Sequence, residues 1–161
     1  MLQKYLLEKK DAHYRMAFSY TKNKDDALDV IQDSIEKALK SIKKNGPVDN
    51  INSWFYRILI NTAIDHNRKN QRNTCMDPDD FEYMLKHEDK YENFDLKVAM
   101  DKMPHQYRTI IILKYYEGMT ISSIANIMGE NINTVKTRLY RGIDFLRLEL
   151  KENDHESAEG Y

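Results

Sequence analysis

Lys136, Thr137, Tyr140 and Arg141 lie on neighbouring turns of one helical stretch, NTVKTRLYRGIDFL. Cationic and hydroxyl side chains at that spacing suit the major groove of DNA. Arg and Lys reach phosphates or guanine edges, and Thr reaches either kind of target. Val135, Leu139, Ile143 and Leu146 give this helix its apolar side, and Arg147 lies off it. A partner helix must hold it in place, and Ile121, Ile124, Ala125 and Met128 recur at the required spacing just before it. Thr120 is placed to cap that first helix with its hydroxyl. Gly129 can take the left-handed conformation that ends it, Glu130-Asn131 makes a polar turn, and Asn133 or Thr134 caps the second helix. The pattern is a helix-turn-helix. An ordinary helical hairpin with a basic face would share it, so the rest of the chain must decide.

No constellation for catalysis competes. The five histidines, His13, His66, His87, His105 and His155, do not pair at metal-ligand spacing. The sequence has no Gly-rich phosphate loop, nucleophile elbow or HExxH. Asp77, Asp79 and Asp80 lack the glycine and closing glutamate of a calcium loop. We therefore expect no enzyme activity, no cofactor and no metal. Cys75 is the single cysteine, which excludes an internal disulfide. No apolar run reaches membrane-span length and the first residues are too charged for a signal peptide, so a cytoplasmic protein is expected.

The chain has 161 residues and a net charge of −1, so any nucleic-acid surface must be local. From Arg57 to Arg72 there are four Arg/Lys and one Asp; from Asn73 to Asn93, two Lys and seven Asp/Glu; from Asn131 to Lys151, five Arg/Lys, one Asp and one Glu. This basic–acidic–basic order fits two separate DNA-facing surfaces.

The elements follow from periodicity. Leu2 to Tyr20 reads as one helix with Leu6, Tyr14, Ala17 and Phe18 inward. Asp25 can cap a helix from Asp26 to Lys44, whose apolar stripe is Leu28, Ile31, Ile35, Ala38, Leu39 and Ile42. Asp29, Gln32, Asp33 and Glu36 lie off that stripe. Asn45-Gly46-Pro47 ends the helix, a loop runs to Asn52, and Ser53 can cap the next helix. There Trp54, Ile58 and Ile64 read as buried, while Asn61, Asp65, Arg68 and Lys69 sit on another side, the end being phosphate-seeking. Phe94 to Met103 and a helix begun by Pro104 precede the helix-turn-helix and complete a second domain of four helices.

Several of these segments resemble a known family. Asp29-Val30-Ile31-Gln32-Asp33, Ser53-Trp54-Phe55-Tyr56-Arg57-Ile58, Asn61 and Asp65-His66-Asn67-Arg68 are similar to region 2 of the extracytoplasmic-function sigma factors. Met103-Pro104-His105-Gln106-Tyr107-Arg108, Tyr116-Glu117-Gly118-Met119-Thr120 and the run Asn133 to Gly142 are similar to region 4 of that family. The resemblance spans roughly residues 10 to 148 in order and looks most like the sigma-V type.

The resemblance implies an all-α protein with two small helical domains. Region 2 would occupy residues 1–72, an acidic linker 73–93, region 4 residues 94–150, and a disordered tail 151–161. It implies that Asp29, Gln32, Asp33 and Glu36 dock on the clamp helices of core RNA polymerase. It implies that Asn61, Asp65, Arg68, Lys69 and Arg72, with the loop before Trp54, engage the minus-10 element and a flipped base. Lys136, Thr137, Arg138, Tyr140 and Arg141 would read the minus-35 element. The linker would thread the RNA exit path. An anti-sigma factor, membrane-anchored, would hold the protein inactive, and promoter choice would serve an envelope or extracytoplasmic stress response. Two departures stand out: the loop before Trp54 has no aromatic residue, and Gly142 stands where the family usually has Ala, at a helix cost of up to about 1 kcal/mol. The rival readings are a stand-alone helix-turn-helix regulator and, more distantly, a protein-interaction adaptor.

Overall fold

The computed structural model describes residues 1–69 and 94–159, with side chains placed for 1–69 and 95–151. The chain divides into two compact units, Met1–His87 and Glu88–Tyr161. Every element in the described residues is helical.

In the first unit α1 (Leu2–Glu8) and α2 (Lys10–Thr21) are separate helices that meet at Lys9, where the sequence suggested one. α3 is Lys24–Asn45, capped by Asn23, whose side chain accepts from the Asp26 amide at 3.0 Å. α4 is Ile51–Lys69. Asn50 caps it, accepting from the Ser53 amide at 3.3 Å, so Ser53 is not the cap. Asn67 Nδ2 donates to the Tyr20 carbonyl at 2.7 Å and ties the ends of α4 and α2 together.

The core of this unit corrects the helical wheels in two places. α3 buries Ala27, Val30, Ser34 and Ala38, a face of small side chains that lets it approach α2 and α4 closely. The bulkier stripe is left on its flank: Leu28 is 47% exposed, Leu39 is 53% exposed, and Ile31, Ile35 and Ile42 are half-buried. α4 buries Phe55, Tyr56, Leu59, Ile60, Thr62 and Ala63. Trp54, Ile58 and Ile64, expected inside, are only half-buried. The larger apolar face wins, and it is turned one residue from the one read off the sequence.

His13 is buried against this core, its ring centroid 4.6 Å from Phe55 and 5.0 Å from Tyr56. Burial first, and Lys9 second, lower its pKa from 6.5 to about 4. The unfolded chain then binds this proton more readily than the folded one. His13 thus contributes stability that is fully present above pH 6.5 and is lost as pH falls toward 4. Between pH 6.5 and 5 we expect wild type to lose about 1–2 kcal/mol through this group. Chemical denaturation of His13→Gln across that range should show the flatter profile; equal slopes would remove the assignment.

In the second unit α5 is Phe94–Lys102 and α6 is His105–Ile111, which opens into a π turn over Ile112–Tyr116. α7 is Ile121–Met128 and α8 is Ile132–Glu159. Thr120 caps α7, accepting from the Ser123 amide at 3.1 Å. Gly129 ends it in the left-handed conformation, φ 65°, and the Glu130 amide reaches back to the Ala125 carbonyl at 3.0 Å. Asn131, rather than Asn133 or Thr134, caps α8, accepting from the Asn133 amide at 2.8 Å.

Two features here were not legible in the sequence. Arg108 is buried at 3% exposure, donating from Nη1 to the Asp101 carbonyl at 3.4 Å and meeting His105 Nδ1 through Nη2. It fastens α6 to the end of α5. α8 also continues to Glu159, past Lys151, where disorder was expected. No Gly or Pro interrupts the sequence between Gly142 and Glu159, so nothing in the backbone chemistry stops the helix. The linker residues 73–93, Arg72 and Cys75 lie outside the described residues.

Candidate nucleic-acid and polymerase interfaces

α8 presents its cations where the fold leaves the first turns open. Val135 and Leu139 are buried, which turns Lys136, Thr137, Tyr140 and Arg141 to solvent. Tyr140 is 64% exposed, a large aromatic surface with no covering element. Thr137 Oγ1 donates to the Asn133 carbonyl at 2.9 Å, so the hydroxyl oxygen is left as an acceptor. Arg138 differs from its neighbours. It is half-buried and paired to Glu130 at 3.2 Å, so part of its charge is already balanced. Asn133, Thr134, Thr137, Arg138 and Arg141 line a concavity of about 410 Å3 together with Gln106 and Tyr107 of α6. The sequence reading missed the two α6 residues, because their relevance depends on how α6 crosses α8.

That crossing also explains Gly142, which is buried. A Cβ added there would stand 2.8 Å from Ile111 Cδ1 and 3.6 Å from Tyr107 Cβ. At this glycine α8 lies against α6 with Ile111 occupying the space a side chain would need. The helix-propensity cost of Gly142 thus stands beside a tight contact with Ile111 that an unshifted alanine would not fit.

On the first unit a second concavity, of about 420 Å3, is lined by Trp54, Arg57, Ile58, Asn61 and Thr62 of α4 and by Lys37 and Ser41 of α3. An indole, an amide and two cations at one site can stack a base, bond its edge and neutralise phosphate. Lys37 Nζ donates to Thr62 Oγ1 at 3.2 Å, which aims the amine along the concavity wall. Asn61 is exposed and its amide makes no hydrogen bond among the described residues. Asp65, Arg68 and Lys69 are exposed further along α4, and Arg72 lies outside the described residues. Sequence reasoning missed Lys37 and Ser41. They sit on the flank of α3 away from its apolar stripe, and only the α3–α4 packing brings them beside Asn61.

Asp29, Gln32, Asp33 and Glu36 are all exposed on α3. They border the stripe of Leu28, Ile31, Ile35 and Leu39, so this flank is an apolar band with an acidic edge. Among the described residues no helix is long and apolar enough to cross a membrane.

Comparison with known proteins places the chain in a family. Residues 8–73 match Sigma-70 region 2 and residues 94–146 match Sigma-70, region 4. The RNA polymerase sigma factor SigV of Bacillus subtilis (strain 168) is 47% identical over 150 residues, covering 92% of this chain and 90% of that protein. The ECF RNA polymerase sigma factor SigW of the same organism is 28% identical, covering 89% of this chain and 85% of SigW. Among solved structures, the sigma factor RpoE from Bartonella quintana, crystallised with the anti-sigma factor NepR, aligns with a TM-score of 0.75 and 25% identity over 93% of this chain and 96% of RpoE. With both regions present in order and a sigma-V relative alike over nearly its whole length, the chain belongs to the extracytoplasmic-function sigma factors of the sigma-70 family.

Proposed function

We infer that this chain is an alternative sigma factor that directs core RNA polymerase to a specific set of promoters and assists their melting, without bond chemistry of its own. The observation that carries the reading furthest is the α3–α4 concavity. It sets Trp54 and the unpartnered amide of Asn61 between Lys37 and Arg57, a site suited to an unstacked base. A stand-alone helix-turn-helix regulator would have no use for it. Asn61, Asp65, Arg68, Lys69 and Arg72 engage the minus-10 element, and Lys136, Thr137, Arg138, Tyr140 and Arg141 read minus-35. Arg138 contributes less than Arg141, because Glu130 already neutralises part of it. The α3 flank docks on core polymerase. The protein works in the cytoplasm, held by a membrane-anchored anti-sigma factor until an envelope or extracytoplasmic stress releases it. Support for an anti-sigma partner comes from the RpoE–NepR complex.

Base capture is tested with Asn61→Ala. The side chain is exposed and unpartnered, so its loss should leave the melting temperature near wild type. In holoenzyme on pre-melted templates randomised at minus-10, we expect discrimination among bases to fall about tenfold, the worth of a lost base contact. Retained discrimination together with a large drop in melting temperature would make Asn61 a scaffold residue.

Groove reading is tested with Arg141→Ala. We expect a loss of about 1–3 kcal/mol in minus-35 binding by the holoenzyme, with relaxed sequence preference at the contacted base. Unchanged discrimination and an unchanged salt dependence would put Arg141 outside the groove.

A further inference from the structure

The first turn of α4 is held from behind. Tyr5 of α1 donates its hydroxyl proton to Asn52 Oδ1 at 2.7 Å, and the same hydroxyl lies 3.1 Å from His13 Nε2 on α2. Since the one tyrosine proton goes to Asn52, the tyrosine oxygen is the acceptor toward His13, which fixes the proton of the neutral imidazole on Nε2. Three helices thus meet in a directed chain, His13 to Tyr5 to Asn52. The rings beneath it are packed, with Tyr5 and Phe55 edge to face at 6.0 Å and Tyr5 and His13 at 5.3 Å.

Asn52 lies roughly 200° around α4 from Trp54, so this chain touches none of the concavity's walls. It acts on the backbone that carries them. The same turn is also held by the exposed Asn50 cap at 3.3 Å to the Ser53 amide, by the Trp54 amide bonded to the Asn50 carbonyl at 3.1 Å, and by buried Phe55 and Tyr56 just after it. Helix ends open more readily than helix centres. Core packing sets which face of α4 is buried, and the short Tyr5–Asn52 bond adds a directional restraint that fixes the turn bearing Trp54 against α1.

We propose that Tyr5 is a positioning residue for base capture, setting the first turn of α4 through Asn52 so that Trp54 and Asn61 face an incoming base in fixed register. The proposal rests on the base-capture reading above, and its test separates the two. Holoenzyme assembled from core RNA polymerase and the full chain is assayed on pre-melted templates randomised at minus-10. Tyr5→Phe keeps the ring contacts and loses the hydroxyl. We expect discrimination among minus-10 bases to drop about threefold to tenfold, the worth of one hydrogen bond, with little change in melting temperature. Asn52→Leu should match it, and Asn52→Asp, which keeps an acceptor, should restore wild-type discrimination. The double variant Tyr5→Phe/Asn52→Leu should be no worse than either single one, as for two ends of one bond. Wild-type discrimination by Tyr5→Phe, or additive losses in the double variant, would overturn the positioning role. If Asn61→Ala loses discrimination while Tyr5→Phe does not, positioning alone fails. If neither variant loses it, base capture at this concavity fails as well.

Discussion

Replacing Leu28 and Leu39 together by lysine is expected to lower affinity for core RNA polymerase about a hundredfold or more while leaving the free protein as stable as before. Both leucines are about half exposed in the isolated chain, at 47% and 53%, and a lysine stem can cover most of the apolar surface that the buried half of each touches, so little packing is lost. Lysine is nearly as good a helix former as leucine, so α3 itself is not weakened. In a docked complex the balance reverses. Burying the rest of each leucine contributes roughly 1–2 kcal/mol, and a lysine in its place must either give up its hydration or hold the surfaces apart. The acidic edge acts differently. Asp33→Lys with Gln32→Ala changes exposed groups, so it should slow association and weaken binding by a smaller, salt-dependent amount. Titration of labelled variants with core enzyme at two salt concentrations separates the two contributions. Wild-type affinity in the leucine variant would remove this flank of α3 from the docking surface. A fall in melting temperature would make the leucines structural.

Gly142→Leu is expected to destabilise the second unit by about 3 kcal/mol. The first added carbon already stands 2.8 Å from Ile111 Cδ1, and Tyr107 Cβ is 3.6 Å away. A single methyl can be met by rotation of the Ile111 end, and alanine regains about 1 kcal/mol of helix propensity, so Gly142→Ala should be close to neutral. Leucine has no such route, because Ile111 and Leu139 are buried around the crossing and the backbones must separate. Since α6 and α8 both line the concavity with Gln106 and Arg141, minus-35 binding should fall with stability. Thermal unfolding followed by circular dichroism checks the order Gly142→Ala near wild type and Gly142→Leu far below. A leucine variant that melts with wild type would show that the two helices are not held at this distance.

Much of this was written in the sequence because it is local. The Thr120 cap and the left-handed Gly129 are properties of a few adjacent residues, and the structure has them as read; of the apolar positions it buries Ile124, Ala125, Val135 and Leu139, leaves Ile121, Met128, Ile143 and Leu146 half-buried, and adds Ile127. The outward faces were legible for the same reason: Asp29, Asp33, Lys136 and Arg141 have no apolar alternative orientation.

Tertiary structure decided the rest. A helical wheel gives the angle of each apolar side chain but not which neighbour will cover it. α3 shows this: between α2 and α4 it buries Ala27, Ser34 and Ala38, because small side chains allow close approach, and it leaves its leucines outside. In α4 the run Phe55, Tyr56, Leu59 and Ile60 claims the core and turns Trp54 toward Asn61. The base-sized concavity then exists only because Lys37 and Ser41 arrive from another helix. Arg108 is buried only because the end of α5 closes over it, and Gly142 reads as a weak point until Ile111 is placed against it. Sequence fixes what each side chain can do within a turn or two of its own helix; the distance between helices, which no single periodicity contains, fixes which of those capacities meet.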